Sequence, residues 1–220
     1  MSSISSISVV IPCIPKHIRH LDELLNSICE QTILPHEVII SLSSYNDDDS
    51  KNLQEHLCNN FQKLNINVLN KKEEAYAGEN RNRGIAGCTT KYVTFIDSDD
   101  LMVPNKLETL LDMFDKYDMD AILHTHGRYD TNKIFDNEVM KEVKQKSSHI
   151  HLDAKHLKLK NKIHNGHITV KKSVFDVVKQ DPSRKRGQDS HFVRRVIDNG
   201  FKMYLIDKNL SIYRQHLSTK

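Results

Sequence analysis

The 220-residue chain contains no tryptophan, so any aromatic stacking surface must come from tyrosine, phenylalanine or histidine. No apolar run approaches the roughly 20 residues of a membrane-spanning helix, and no crossing of a bilayer is expected. Met1 to Ser8 lack the basic start and the long apolar stretch of a signal peptide. The expected location is therefore cytoplasmic, or peripheral to a membrane. Cys13, Cys29, Cys58 and Cys88 form no C-x-x-C pair and have no companion histidine at zinc-ligand spacing. They read as buried free thiols. The 13 histidines place no H-x-x-x-H pair on a helix face, so a histidine-only metal site is not expected. There is no internal repeat and no low-complexity linker.

What is present is an ordinary globular composition, 38% hydrophobic and 28% charged, long enough for one domain with one core. The net charge of +3 hides an asymmetry. Residues 1–120 carry 11 Lys/Arg and 19 Asp/Glu, a balance of −8, which leaves +11 for residues 121–220. The acidic half suits a cation. The basic half suits phosphate, an anionic surface or an acidic substrate. Aromatic residues are thin in its lysine-rich stretch, Lys141 to Lys162, so no nucleic-acid partner is expected.

Hydrophobic periodicity gives the architecture. Ile7 to Ile11, Glu37 to Leu42, Ile66 to Leu69, Tyr92 to Ile96 and Ala121 to His124 read as short buried strands. Between them, Leu21 to Ile28, the segment from Asp49 or Ser50 through Phe61, Glu79 to Ala86, and the segment opened by Pro104 read as helices. Further on, Ile168 to Val170, Met203 to Ile206 and Leu210 to Tyr213 suggest strands. Ser173 to Val178 and Ser190 to Ile197 suggest helices, the second ending near Gly200. Alternation of this kind predicts an α/β fold with a mostly parallel central sheet and helices on both faces. Such sheets bind ligands beyond the carboxyl ends of their strands. Pro12 to Ile14, Ser41 to Ser44 and Asp97 to Asp100 all fall at such ends.

The sharpest chemistry is Asp97-Ser98-Asp99-Asp100, with three carboxylates in four positions at the end of a buried strand. Like charges so close need a cation, a helix N-terminus or water to offset them. Magnesium-type sites use one or two carboxylates together with substrate phosphates. An acidic turn that caps the next helix is the other reading.

The context of that turn resembles glycosyltransferase family 2, whose members have the GT-A (Rossmann-like) fold. The opening VVIPCIP and LDELLNSICEQT are similar to that family's start. AGENRNRGI (Ala77 to Ile85) looks like its A-R-N-x-G segment, and KYVTFIDSDDLMVP (Lys91 to Pro104) like its D-x-D segment. GQDSHF (Gly187 to Phe192) looks like its G-E-D segment, and YRQH (Tyr213 to His216) like its closing Y-R-x-H. The five occur in the family's order and spacing and cover most of the chain.

The resemblance implies a single GT-A domain. Residues 1–120 would be its nucleotide-sugar half and residues 121–220 its acceptor half. It implies a metal-dependent, inverting hexosyltransferase that moves a sugar from a nucleotide-sugar, a UDP-sugar by preference, to a hydroxyl of a glycan, protein or lipid-linked acceptor. Asp99 would hold the divalent cation (Mn or Mg), with His216 a further ligand, a phosphate contact or a surface histidine. Asp97 would contact the ribose of the nucleotide-sugar or help orient the metal, and Ser98 would lie in the same site. Pro12, Cys13 and Ile14 would line its base, partly through backbone groups, and Ser43 would also belong to the nucleotide-sugar site. Arg81 would approach the nucleotide or the acidic cluster, or form a structural ion pair. Asp189 would be the general base, the alternative being a helix cap.

Two departures matter. The family's second strand ends in an acid that reads the base, whereas here Ser41-Leu42-Ser43-Ser44 has no acid before Asp47. Gln188 stands where the family often has Glu. A catalytically degenerate module that binds a nucleotide or polyanion through the basic C-terminal half is the competing reading, and turnover of a nucleotide-sugar separates the two.

Overall fold

The computed structural model describes residues 5–130, 149–153 and 167–215. His216 and most of Lys141 to Lys162 lie outside them. The strands are β1 (Ile7–Cys13), β2 (Glu37–Ser43), β3 (Ile66–Lys71), β4 (Tyr92–Phe95), β5 (Leu101–Met102), β6 (Ala121–Asp130), β7 (His149–Leu152), β8 (Ile168–Lys171) and β9 (Met203–Gln215). The helices are α1 (Leu21–Cys29), α2 (Asp47–Asn60), α3 (Ala77–Gly87), α4 (Lys106–Lys116), α5 (Val174–Val177) and α6 (Gln188–Asp198). A 3-10 turn, Pro15–His20, joins β1 to α1.

One sheet runs in the order β3-β2-β1-β4-β8-β6-β9-β5, with β7 also on β9. β3, β2, β1 and β4 are mutually parallel, so their carboxyl ends share one edge. β8 runs antiparallel between β4 and β6, and β6 is parallel to β9. The sheet is thus parallel through the first half and mixed through the second.

Alternate residues of each buried strand feed two cores. Ile7, Val9 and Ile11 of β1 face α1, α2 and α4, packing with Leu24, Leu57 and Leu110. Val10 of β1 faces the other way, with Ile85 of α3, Phe175 of α5 and Phe192 of α6. This period of two, covered on both sides, explains why β1 is buried along its whole length. The expected helices on both faces are there.

Several boundaries differ from expectation for local reasons. β1 continues through Pro12, because its pairing with β4 ends at Val10 and the missing N–H falls beyond that ladder. α2 is capped by Asn46, whose side chain accepts from the Asp49 N–H at 2.8 Å, not by Asp49 or Ser50. Pro104 lies just ahead of α4, whose cap position is Asn105. The two short strands expected over residues 203–213 are one strand, β9. Irregular register opposite His124 to His126 bends its ladder with β6, which masked its continuity.

Candidate active site

The four parallel carboxyl ends open on a cavity of about 790 Å³. Its walls include Pro12, Cys13 and Ile14 from β1, Ser44 after β2, Glu74 to Ala77 after β3, and Asp97, Ser98 and Asp99 after β4. Of the expected nucleotide-binding residues, Pro12, Cys13, Ile14, Arg81, Asp97 and Ser98 line it, as does the expected metal ligand Asp99. Ser43 does not. It is fully buried, accepts a hydrogen bond from Asn80 Nδ2 at 2.9 Å, and leaves the cavity wall to Ser44. Ser44 turns there with φ +59. Burial pushes the Cys13 thiol up to about 12, so Cys13 is a packing residue of the wall and no nucleophile.

α3 organises this end of the sheet. A Cβ at Gly84 would come within 2.5 Å of Val10 Cγ1, so only glycine lets the helix lie this close to β1. One turn earlier, four consecutive polar side chains step round the helix axis by about 100° each and reach different neighbours. Asn80 holds Ser43, and Arg81 Nη2 donates to Asp97 Oδ1 at 2.5 Å. Asn82 exchanges hydrogen bonds with the Gln180 backbone at 2.8 and 2.9 Å. Arg83 donates to Ser41 Oγ at 3.1 Å and to the Leu42 carbonyl at 2.6 Å. The polar residues of the 79–86 segment therefore work inside the protein, where a purely amphipathic reading puts them in solvent. Arg81 meets the acidic cluster, and its Nη1 also donates to Gln188 Oε1 at 3.3 Å.

The D-S-D-D turn is braced from several sides. The Arg214 backbone N–H donates to Asp100 Oδ1 at 2.9 Å, and its Nε donates to the Asp99 carbonyl at 2.8 Å. Its Nη2 reaches Glu23 on α1. Asp100 is buried, and burial together with the Asp97 charge pushes its carboxyl well above the usual range. Lys106, fully buried at the start of α4, donates to Ser211 Oγ at 3.0 Å and to the Phe95 carbonyl at 3.4 Å. Burial pushes its ammonium down to about 7 against the opposing pull of Asp100 and Asp97. Asp99 is left facing the cavity, its carboxylate 3.9 Å from His17 Nδ1.

Asp189 sits elsewhere. It falls in the first turn of α6, behind the cap residue Gly187, which adopts φ +66. It lines a smaller cavity of about 250 Å³ that shares Tyr76, Ala77, Arg81 and Lys185 with the larger one. Base candidate and acidic turn thus open onto adjoining spaces that meet at Arg81. Among the described residues, no three His, Cys, Asp or Glu side chains converge as a metal site. His216 lies outside those residues.

Sequence reasoning named three strand ends and overlooked the fourth. The loop after β3 supplies Glu74 and Tyr76, so an acid does enter the cavity from this end of the sheet besides those of the D-S-D-D turn. The parallel arrangement itself was the available signal, since every parallel strand must deliver its loop to the same edge. His17, Asn80, Lys185 and Tyr213 also line the cavity. They come from a 3-10 turn, a helix, a loop and a far strand that share no local pattern.

A sheet of this order, with its cavity and D-S-D-D turn at the parallel carboxyl ends, defines a GT-A fold. Solved structures agree. S. aureus TarS 1-349 in complex with UDP-GlcNAc superposes with a TM-score of 0.74 at 17% identity, over 96% of this chain and 59% of that one. The mannosyltransferase PcManGT from Pyrobaculum calidifontis, in complex with GDP-Man and Mn2+, gives 0.68 at 13%, over 100% of this chain and 59% of that one. The sequence profile of Glycosyl transferase family 2 matches residues 8–178, and the chain belongs to that family. Among curated relatives, glycosyltransferase GlyG of Streptococcus pneumoniae serotype 4 is 31% identical over 126 residues, covering 56% of this chain and 40% of GlyG. The chain spans less than two thirds of the length of each of these proteins.

Proposed function

We propose that the protein is a metal-dependent, inverting glycosyltransferase that moves a sugar from a UDP-sugar to an acceptor hydroxyl. The observation that carries this reading is the juxtaposition of two carboxylates. Asp99 faces a cavity large enough for a nucleotide-sugar, and Asp189 faces the space next door. The neighbours crystallised with UDP-GlcNAc and with GDP-Man and Mn2+ support a nucleotide-sugar donor and a divalent cation.

The residues present fit a manganese or magnesium ion. Arg81 already engages Asp97, while the Asp99 side chain is only 15% exposed and turned to the cavity. Asp99 would hold such an ion together with the donor's phosphates, with His216 a further candidate ligand. When bound, the ion would act as a Lewis acid and offset charge on the departing diphosphate. Pro12, Cys13 and Ile14 would line the nucleotide base, with Ser43 behind the wall and Asp97 and Ser98 against the ribose. Glu74 takes up the polar recognition that the family's second-strand acid would give.

Asp189 would accept the proton of the acceptor hydroxyl as that oxygen attacks the anomeric carbon and the bond to the diphosphate breaks. A single displacement from the opposite face inverts the anomeric centre. Holding the two substrates in line across Arg81 supplies much of the rate. Residues 1–120 would build the donor half and residues 121–220 the acceptor half, with a glycan, protein or lipid-linked acceptor. Among the described residues no helix is long and apolar enough to cross a membrane. We place the reaction in the cytoplasm or at a membrane's cytoplasmic face.

Release of UDP from a panel of UDP-sugars, with and without manganese, tests this directly. Turnover that stops when EDTA removes the metal is expected. No turnover of any nucleotide-sugar would favour the degenerate binding module.

A further inference from the structure

The acidic turn and the space around Asp189 differ in what their charges meet. Between Lys179 and Arg195 the chain carries six lysines and arginines against two acids, Asp181 and Asp189. Arg184 pairs with Asp181 at 3.6 Å, and Arg195 Nη1 donates to the Lys179 carbonyl at 2.8 Å. Arg81 is taken by Asp97 and Gln188. Lys185 and Arg186 make no ion pair with an acid among the described residues, and both are exposed. Both line the Asp189 cavity. The Lys185 ammonium lies 5.9 Å from the centroid of the Tyr76 ring, and both residues line both cavities.

Two cations that line the Asp189 cavity without an acid partner among the described residues leave a positive field there, which a negative group on a bound molecule would offset. A neutral sugar hydroxyl would not. A phosphate or carboxylate on the acceptor would, and the planar fork of Arg186 can meet either group through two parallel hydrogen bonds.

We propose that Lys185 and Arg186 form an anion subsite for the acceptor, so that the acceptor carries a phosphate or similar anionic group close to its reacting hydroxyl. The proposal rests on the reading of Asp189 as the base. It adds the chemical class of the acceptor, which neither the family nor the fold supplies. The diphosphate of the donor is the other possible source of such an anion, and the two are separable because the donor cavity can be filled first.

The experiment follows amide chemical shifts of the 15N-labelled chain saturated with UDP and magnesium while glycerol 3-phosphate is added, with glycerol as the neutral control. The subsite predicts saturable shifts at residues 185–189 with glycerol 3-phosphate and none with glycerol. It predicts at least a tenfold weaker response in Lys185→Ala/Arg186→Ala, while Arg186→Ala alone, at a residue that lines only the Asp189 cavity, should change UDP affinity less than threefold. Three results would overturn it. They are no binding of glycerol 3-phosphate, equal binding by the double variant, or binding that saturating UDP abolishes, which would assign the cations to the donor diphosphate. Failure of UDP itself to bind would count against the proposed function instead, and the glycerol 3-phosphate titration still reads the cation pair on the free chain.

Discussion

The two ends of the active-site region handle charge in opposite ways. At the acidic end, Asp97 is held by Arg81, Asp100 by the Arg214 backbone, and Lys106 lies fully buried behind the turn. At the basic end, Lys185 and Arg186 stand exposed without acid partners among the described residues. A charge braced inside the fold keeps its geometry before any ligand arrives, which suits a site that must position a diphosphate. A charge left in solvent adds little to stability and acts on whatever approaches. Under the proposed function, the difference would give fixed geometry to the donor side and charge recognition to the acceptor side.

The comparison is broken or sharpened most strongly by removing the one carboxylate offered at each end. Asp99→Ala and Asp189→Asn should each lower transfer by about 10³-fold or more. They should differ in what survives. Asp189→Asn keeps metal-dependent UDP binding, and Asp99→Ala loses it, as read by calorimetric titration. Equal UDP binding by the two variants would erase the distinction between the ends.

Next in size is stability. Lys106→Met removes the buried cation that offsets the acidic turn and should cost about 2–4 kcal/mol in denaturant unfolding. Adding Asp100→Asn should return part of that loss, because the uncompensated carboxylate goes with it. Lys185→Ala, at the exposed end, should shift stability by no more than about 0.5 kcal/mol. A larger cost there would mean that the basic loop is a structural brace as well.

The smallest effect is a control away from both ends. Glu37 opens β2, and its Oε1 accepts from Ser8 Oγ at 2.7 Å and from the Thr89 N–H and hydroxyl at 2.7 and 2.9 Å. Burial works to raise this carboxyl, and the three hydrogen bonds outweigh it and hold it below the usual carboxylate range. The stabilisation is therefore complete above the ordinary glutamate pKa and is lost as pH falls through the depressed one. Glu37→Gln should cost about 1 kcal/mol at pH 7, and the gap to the parent should close below about pH 4. A gap that persists at low pH would show that shape, not charge, makes the contact.

Legibility followed locality. β1, β2, β3 and β4 and the helices between them could be read because each β-strand and its helix carry their own period in a short stretch. The D-S-D-D turn was visible because its residues are adjacent in the chain. The second half is built from pairings between distant segments, as where β6 lies against β9 and β8 lies between β4 and β6. A bulge then split the pattern of β9 into two apparent strands. The same logic hid Lys106, which reads as one lysine on an amphipathic helix. Only the packing of Phe95 and Ser211 around it shows that the charge is inside. Likewise the pairing of Arg81 with Asp97 could be named only as one alternative, since helix geometry alone does not say which neighbour the guanidinium meets.

The measurement closest to the central claim is thermal unfolding with UDP, with and without manganese, on the parent chain and on Asp99→Ala. A ligand that binds only the native state raises the melting temperature in proportion to the logarithm of its concentration over its Kd. The account predicts a rise that requires UDP and manganese together and disappears in Asp99→Ala. An equal rise in the variant, or none with any nucleoside diphosphate tried, would contradict a donor site built on the D-S-D-D turn.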